Sequence, residues 1–200
     1  MNACTDAQRR HLRQQLTMRR RQLPPAQRMH AALSVRRSLE QLAAFHTSTR
    51  VAGYWAVNGE LPLNIAMSSL TRHRQLFFLP QVGADQSLRF VPWRSGEPVK
   101  PNRYGIPEPL AAQTWLAPFQ LDLVLIPLLA FDRHGQRLGH GNGYYDRNFA
   151  FLGGQVRPGV PLLVGIAYAF QEVNRIKARS WDIALDYVAT EYELISCHFA

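Results

Sequence analysis

Four short apolar runs constrain this chain more than any other feature. They are RVAGYWAV (50–57), QLFFLP (75–80), LDLVLIP (121–127) and PLLVGIAY (161–168). Apolar runs this short, rich in β-branched and aromatic residues and bounded by turn formers, read as strands buried on both faces. Helical patterns lie between them, in LPLNIAMSSLTRH (61–73) and in YYDRNFAFL, which starts a helix near Tyr144. LRFVPW (88–93) and YVATE (187–191) read as shorter strands, and the Pro- and Gly-rich residues 94–118 as a long structured excursion. Alternating strands and helices predict an α/β fold: a three-layer sandwich with a mainly parallel sheet and helices on both faces.

Ahead of the first strand the period changes. Leu12, Leu16 and Leu23 form the apolar stripe of a first helix with Asp6 near its start. Pro24-Pro25 breaks that helix and opens a second, with Met29, Ala32, Val35, Leu39 and Leu42 at spacings of three and four. The expected organisation is a single domain over 1–200, with a helical N-terminal segment (1–45) and an α/β core (50–196). No internal repeat divides it.

The net charge of +9 is uneven: residues 1–37 hold nine arginines against one acid, Asp6. Such a segment suits a polyanion or an acidic membrane surface. No aromatic residue interleaves with these arginines, as single-strand binding would require. Arg19, Arg20 and Arg21 are expected to be mostly solvated. The longest uncharged apolar run, Leu123 to Phe131, is too short to cross a bilayer, and MNACTDAQRR has no secretory apolar region. Cys4 and Cys197 lack metal-ligand spacing. A cytoplasmic protein with reduced thiols is expected.

The densest motif is RLGHGNGYYDR (137–147), with glycines at 139, 141 and 143. Three glycines in five residues suit a backbone that takes left-handed angles and lets an anion approach its N–H groups. The loop follows a buried strand and precedes a helix, where open α/β sheets bind ligands. It matches neither the P-loop nor the dinucleotide fingerprint. On spacing alone, a phosphate loop and a tight structural turn both stand.

Read as one unit, DLVLIPLLAFDRHGQRLGHGNGYYDR resembles the 5-formyltetrahydrofolate cyclo-ligase family. The resemblance spans nearly the whole chain. RRHLR (9–13) is similar to the family's N-terminal basic element, NGE with Glu60 to its folate-site acid, YGIPEP (104–109) to its central segment and WDIALDYVATE (181–191) to its ending. His140 and Asn142 stand where some members carry Arg and Lys, and Trp181 where a polar residue often precedes the aspartate.

The resemblance implies ATP-dependent closure of 5-formyltetrahydrofolate to 5,10-methenyltetrahydrofolate through a phosphorylated formyl group. It places ATP against Arg9, Arg10, His11, Leu12 and Arg13, and against Arg137, Leu138, Gly139, His140, Gly141, Asn142, Gly143, Tyr144 and Tyr145. It places the folate against Trp55, Glu60, Tyr104 and Tyr144, and Mg2+ on Asp146 and Asp182. Arg137, Tyr144 and Asp146 are its catalytic candidates. Asp186 is either structural or a further ligand contact. The expected partners are ATP and 5-formyltetrahydrofolate, with no nucleic acid and no membrane, and the expected state is a monomer. Two alternatives remain at this point: an RNA- or membrane-associated module built on the arginine-rich helices, and a phosphotransferase acting on another small substrate.

Overall fold

The computed structural model describes residues 6–72, 75–110 and 114–197; Cys4 lies outside them. The chain opens with helices α1 (Asp6–Gln22), α2 (Pro25–Glu40) and α3 (Ala43–Thr47), then strand β1 (Arg50–Ala52) and helix α4 (Asn64–Arg72). Strands β2 (Leu76–Val82), β3 (Leu88–Pro92), β4 (Val99–Pro101), β5 (Pro107–Pro109), β6 (Leu123–Pro127), β7 (Ala130–Phe131) and β8 (Arg137–Leu138) follow. Helix α5 (Tyr144–Asn148) and strands β9 (Leu162–Ile166), β10 (Tyr187–Ala189) and β11 (Leu194–Ser196) complete the order.

Seven strands form one sheet in the order β11-β10-β9-β6-β1-β2-β3. The five inner strands are parallel, while β3 and β11 pair antiparallel at the two edges. The predicted α/β fold with its mainly parallel sheet is therefore present. Within β6, Leu123 and Leu125 face one apolar layer and Val124 and Ile126 the other. Period-two alternation across a sheet covered on both faces explains why β6 carries no polar residue.

The two covering layers are unequal. On one face α2 and α4 pack against the sheet, with Val35, Leu39 and Leu70 buried. Helix α2 thus belongs to the sandwich, and the N-terminal segment is not an appendage. On the other face the expected helix from Tyr144 lasts five residues before a 3-10 turn at Ala150–Leu152. Phe149 is fully buried there, and the Gly153-Gly154 pair, with Gly154 at φ +78°, ends the helical path.

Three local departures shape the site. Strand β1 stops at Ala52, so residues 54–57, expected within the strand, run beyond the sheet. The 94–118 excursion contains the β4–β5 hairpin, whose buried Glu108 accepts from Val82 N (3.2 Å) and Asn102 Nδ2 (2.7 Å). A second hairpin, β7–β8, stands between β6 and the glycine loop. Buried Asp132 fixes it by accepting from the backbone N–H groups of His134, Gln136 and Ile176.

At the amino ends of the parallel strands one carboxylate joins neighbours. Asp122 Oδ2 accepts from Thr49 N (3.0 Å), Thr49 Oγ1 (2.9 Å) and Arg50 N (2.8 Å), and Oδ1 from Arg50 Nη2 (2.6 Å). Burial alone would raise this carboxyl, but the donors of Arg50 and Thr49 outweigh it and hold it at about 2. A depressed folded value means the contribution to stability is complete above the unfolded value of ~3.9 and is lost as pH falls toward 2. Asp122→Asn should therefore lower Tm near neutral pH, with a loss of about 1–3 kcal/mol. Thermal melts across pH should show the gap to the wild type narrowing below pH ~4; a gap that does not change with pH rejects this account.

Candidate functional site

A cavity of about 640 Å3 opens at the carboxyl ends of the parallel strands. Helix α1 contributes Arg9 and Arg13, and the segment after β1 contributes Tyr54, Trp55, Val57, Asn58 and Glu60. The β4–β5 hairpin contributes Asn102, Tyr104, Gly105 and Ile106; residues 137–146 form the facing wall, closed by Arg179, Trp181 and Asp182. The cavity therefore gathers residues from most of the chain's length.

Positions 9, 13, 16 and 20 share one face of α1, and Arg9, Leu16 and Arg20 are buried there. Arg9 donates to Lys177 O, and Arg13 Nε donates to Gly139 O at 2.8 Å, joining helix to glycine loop. Arg179 reaches the same region and pairs with Asp6. Burial, then the charges of Arg9 and Arg179, hold the Arg13 guanidinium below its ordinary value. Three crowded cations with little acid between them favour a multiply charged anion.

The expected stretch 9–13 divides by face. Arg10 and His11 are exposed and do not line the cavity. Leu12 packs with Leu16, Leu138 and Ile176 beneath it. Arg20 corrects the expectation that residues 19–21 are solvated: it is 1% exposed. Arg21 Nη2 donates to Asn58 Oδ1 (2.6 Å), while Arg19 lies over the Phe170 ring.

In the glycine loop, Gly141 and Gly143 take left-handed backbone angles, with φ +109° and +63°. A Cβ at Gly141 would stand 3.9 Å from the Arg13 guanidinium, so backbone angle rather than space demands glycine there. Helix α5, five residues long, is too short to lend the loop much dipole field. Leu138, Gly139, His140, Asn142, Tyr144 and Tyr145 all line the wall.

Arg137 is largely committed within the protein. Its Nη2 donates to Asp146 Oδ1 at 2.6 Å and its Nη1 to Ile183 O. Asp146 Oδ1 also accepts from Ile183 N (3.2 Å), and Asp182 Oδ2 from Arg179 N (2.9 Å). Among the described residues, no protein donor binds Asp146 Oδ2 or Asp182 Oδ1, and both carboxylates line the cavity. Hard oxygen donors of this kind fit Mg2+ when phosphate oxygens and water complete the shell. Asp186 lies outside this cavity; its buried carboxylate accepts from Leu163 N (2.7 Å) and Arg157 Nε (3.0 Å).

The other end of the cavity centres on Glu60, whose side chain is 5% exposed. Its Oε2 accepts from Val57 N at 3.0 Å, and its Oε1 lies 3.1 Å from His140 Nε2. The turn ahead of it has φ +53° at Asn58 and +77° at Gly59. A Cβ at Gly59 would meet Arg20 O at 2.7 Å, so this turn seats against α1 only with glycine. Trp55 meets Trp93 edge to face at 5.4 Å. Across the mouth, the Tyr104 and Tyr144 hydroxyls are 2.8 Å apart, and Arg103 Nη2 donates to Tyr144 Oη at 2.9 Å. Those two hydrogen bonds, from Tyr104 first and then Arg103, lower the Tyr144 phenol, while the bond to Tyr144 raises Tyr104. Tyr145 stacks on Phe149, and burial raises its phenol.

The structure thus brings Arg9, Arg13, residues 137–146, Asp182, Trp55, Glu60 and Tyr104 to one cavity. It adds Tyr54, Asn58, Arg179 and Trp181, which the sequence reading did not assign to the site. The spacing of Arg179 and Trp181 just before Asp182 was the available signal.

A family model described as the 5-formyltetrahydrofolate cyclo-ligase family matches residues 5–191. The chain is 31% identical over 180 residues to the Haemophilus influenzae 5-formyltetrahydrofolate cyclo-ligase, covering 88% of this chain and 94% of that protein. To the protein of that name from Escherichia coli K12 it is 30% identical over 179 residues, covering 88% and 96%. The solved structure of Aquifex aeolicus 5,10-methenyltetrahydrofolate synthetase matches with a TM-score of 0.79 and 28% identity, over 95% of this chain and 93% of that one. A 5,10-methenyltetrahydrofolate synthetase from Mycoplasma pneumoniae shares the fold, with a TM-score of 0.71 at 24% identity, over 94% and 99%.

The geometry at the cationic end yields a test with inorganic triphosphate as probe. Arg13→Ala should weaken its binding on the order of tenfold, the effect of one lost charge-assisted contact, and Arg10→Ala should change it less than about twofold. Calorimetry at fixed ionic strength separates the two, since salt screens exposed charges. Equal losses would mean a diffuse basic surface.

Proposed function

This chain belongs to the 5-formyltetrahydrofolate cyclo-ligase family, and we propose on that premise that it converts 5-formyltetrahydrofolate and ATP to 5,10-methenyltetrahydrofolate, ADP and phosphate. The observation that carries the proposal is one cavity lined both by the glycine loop with Arg9, Arg13 and Arg179 and by Glu60 with Trp55 and Tyr104. Two chemically different molecules can meet there.

The chemistry assigns each end a task. Arg9, Arg13 and the N–H groups of 139–143 bind the triphosphate, and Glu60 accepts hydrogen bonds from the pterin between Trp55 and Tyr104. The formyl oxygen attacks the γ-phosphorus and ADP departs. The formyl carbon then carries a phosphate leaving group. N10 attacks that carbon and loses its proton, and phosphate leaves with the former formyl oxygen. Transfer of this kind depends mainly on alignment and on neutralising charge on the phosphoryl oxygens.

Asp146 and Asp182 would hold Mg2+, which supplies charge neutralisation when bound. Arg137 fixes Asp146 through their 2.6 Å pair, so the carboxylate is oriented before any ligand arrives. Tyr144, held by Tyr104 and Arg103, closes the wall beside the reacting groups. The basic face of α1 thereby acquires a small-molecule purpose, in place of polyanion or membrane binding. No helix among the described residues is long and apolar enough to cross a membrane.

Purified protein given 5-formyltetrahydrofolate, ATP and magnesium should develop the absorbance of the methenyl product and release stoichiometric phosphate. Asp146→Asn should fold normally yet turn over at least about tenfold more slowly, as expected when a charged group acting in the transition state is neutralised. No product from folded wild-type protein overturns the proposed reaction, and an Asp146→Asn variant with unchanged rate and magnesium requirement removes Asp146 from it.

A further inference from the structure

Arg20 is a buried charge without an adequate set of partners. It sits on α1, 1% exposed, with Nη1 donating to Leu128 O at 3.1 Å. Its Nε and Nη2 are buried and have no hydrogen-bond partner among the described residues. The carboxylate that faces it is Glu60, whose Oε1 lies 3.9 Å from Nη2, an ion-pair distance with no hydrogen bond. A guanidinium removed from water with donors unmatched is costly, and a carboxylate 5% exposed is costly too. Glu60 is the carboxylate paired with Arg20, and it is bonded in addition by Val57 N and His140.

We propose that Arg20 is a positioning residue for the folate half of the reaction: it holds the Glu60 carboxylate, and through it the pterin. This rests on the reading of Glu60 as the pterin's acceptor. Glu60 is gripped from three sides, by Val57 N on Oε2, by His140 on Oε1 and by the Arg20 charge behind. Those contacts fix the direction in which its remaining lone pairs face the cavity. Arg20 itself does not line the cavity, so it acts through Glu60 and not by touching ligand.

The proposal gives α1 a second duty. Arg13 and Arg20 are seven residues apart on one helix face, about 10 Å along the axis. One rigid helix therefore braces the triphosphate end at Arg13 and the pterin end at Arg20. The backbone agrees with this seating, because the Asn58-Gly59 turn that delivers Glu60 lies directly against Arg20 O.

The test measures KM for 5-formyltetrahydrofolate and for ATP separately in the full chain. Arg20→Gln should raise the folate KM on the order of tenfold and leave the ATP KM within about twofold, with Arg20→Lys recovering part of the loss. Glu60→Gln should cost as much or more, and Arg20→Gln/Glu60→Gln should be no worse than Glu60→Gln alone. Equal losses for both substrates, or losses that multiply in the double variant, overturn the assignment. If Arg20→Gln does not fold, Arg20→Lys decides: it must raise the folate KM with Glu60 present and not in the Glu60→Gln background. Wild-type protein that forms no methenyl product overturns the reaction itself, whereas active wild type with unaltered Arg20 variants overturns this proposal alone.

Discussion

A carboxylate withdrawn from water at the ends of the parallel strands imposes its requirements on three distant parts of the chain. Glu60 needs a donor from its own turn, a ring from the glycine loop and a cation from the first helix, and it has all three. Satisfying them brings α1 and the glycine loop to the same carboxylate. The adjoining Arg13–Gly139 bond holds the same two elements at the neighbouring end. Desolvated polar groups are more demanding than apolar ones because they specify direction as well as contact.

The same economy of donors separates the charged groups by task. Arg137 and Asp146 are matched to each other, so that pair is a support. Arg133 is matched to Glu172 and Glu193 at the surface. Arg9, Arg13 and Arg179 crowd together at the cavity, with Asp6 and Asp182 the acids beside them. The net charge of +9 says little by itself; its arrangement within α1 and beside Asp182 carries the functional content.

Much of this was legible in the sequence because period and turn chemistry are local. Each of the four sheet-forming runs holds a strand, and the Pro24-Pro25 break and the glycine loop appear where the pattern put them. The length of the YYDRNFAFL helix was not legible, since Phe149 turns into the core and the Gly153-Gly154 pair curtails the helix. The end of β1 was equally hidden: Tyr54 and Trp55 look like strand residues and serve as cavity wall. Arg20 stands between two arginines of identical type, and only its place on the helix face relative to the Asn58-Gly59 turn distinguishes it. Family resemblance supplied the identities of the ligands; residue spacing alone left a phosphate loop and a structural turn unresolved.

The Asp122 clamp gives the sheet two unlike margins. Its bonds to Thr49 and Arg50 anchor neighbouring strands at the amino ends, away from the cavity. The opposite margin carries the loops, with their exposed Tyr104 and Trp181 and their left-handed glycines. Substitutions along the cavity rim can accumulate without unfastening the strands, because the two margins lie at opposite ends of the strands and distant effects add nearly independently. A lineage built on this scaffold can revise what it recognises while inheriting an unchanged foundation.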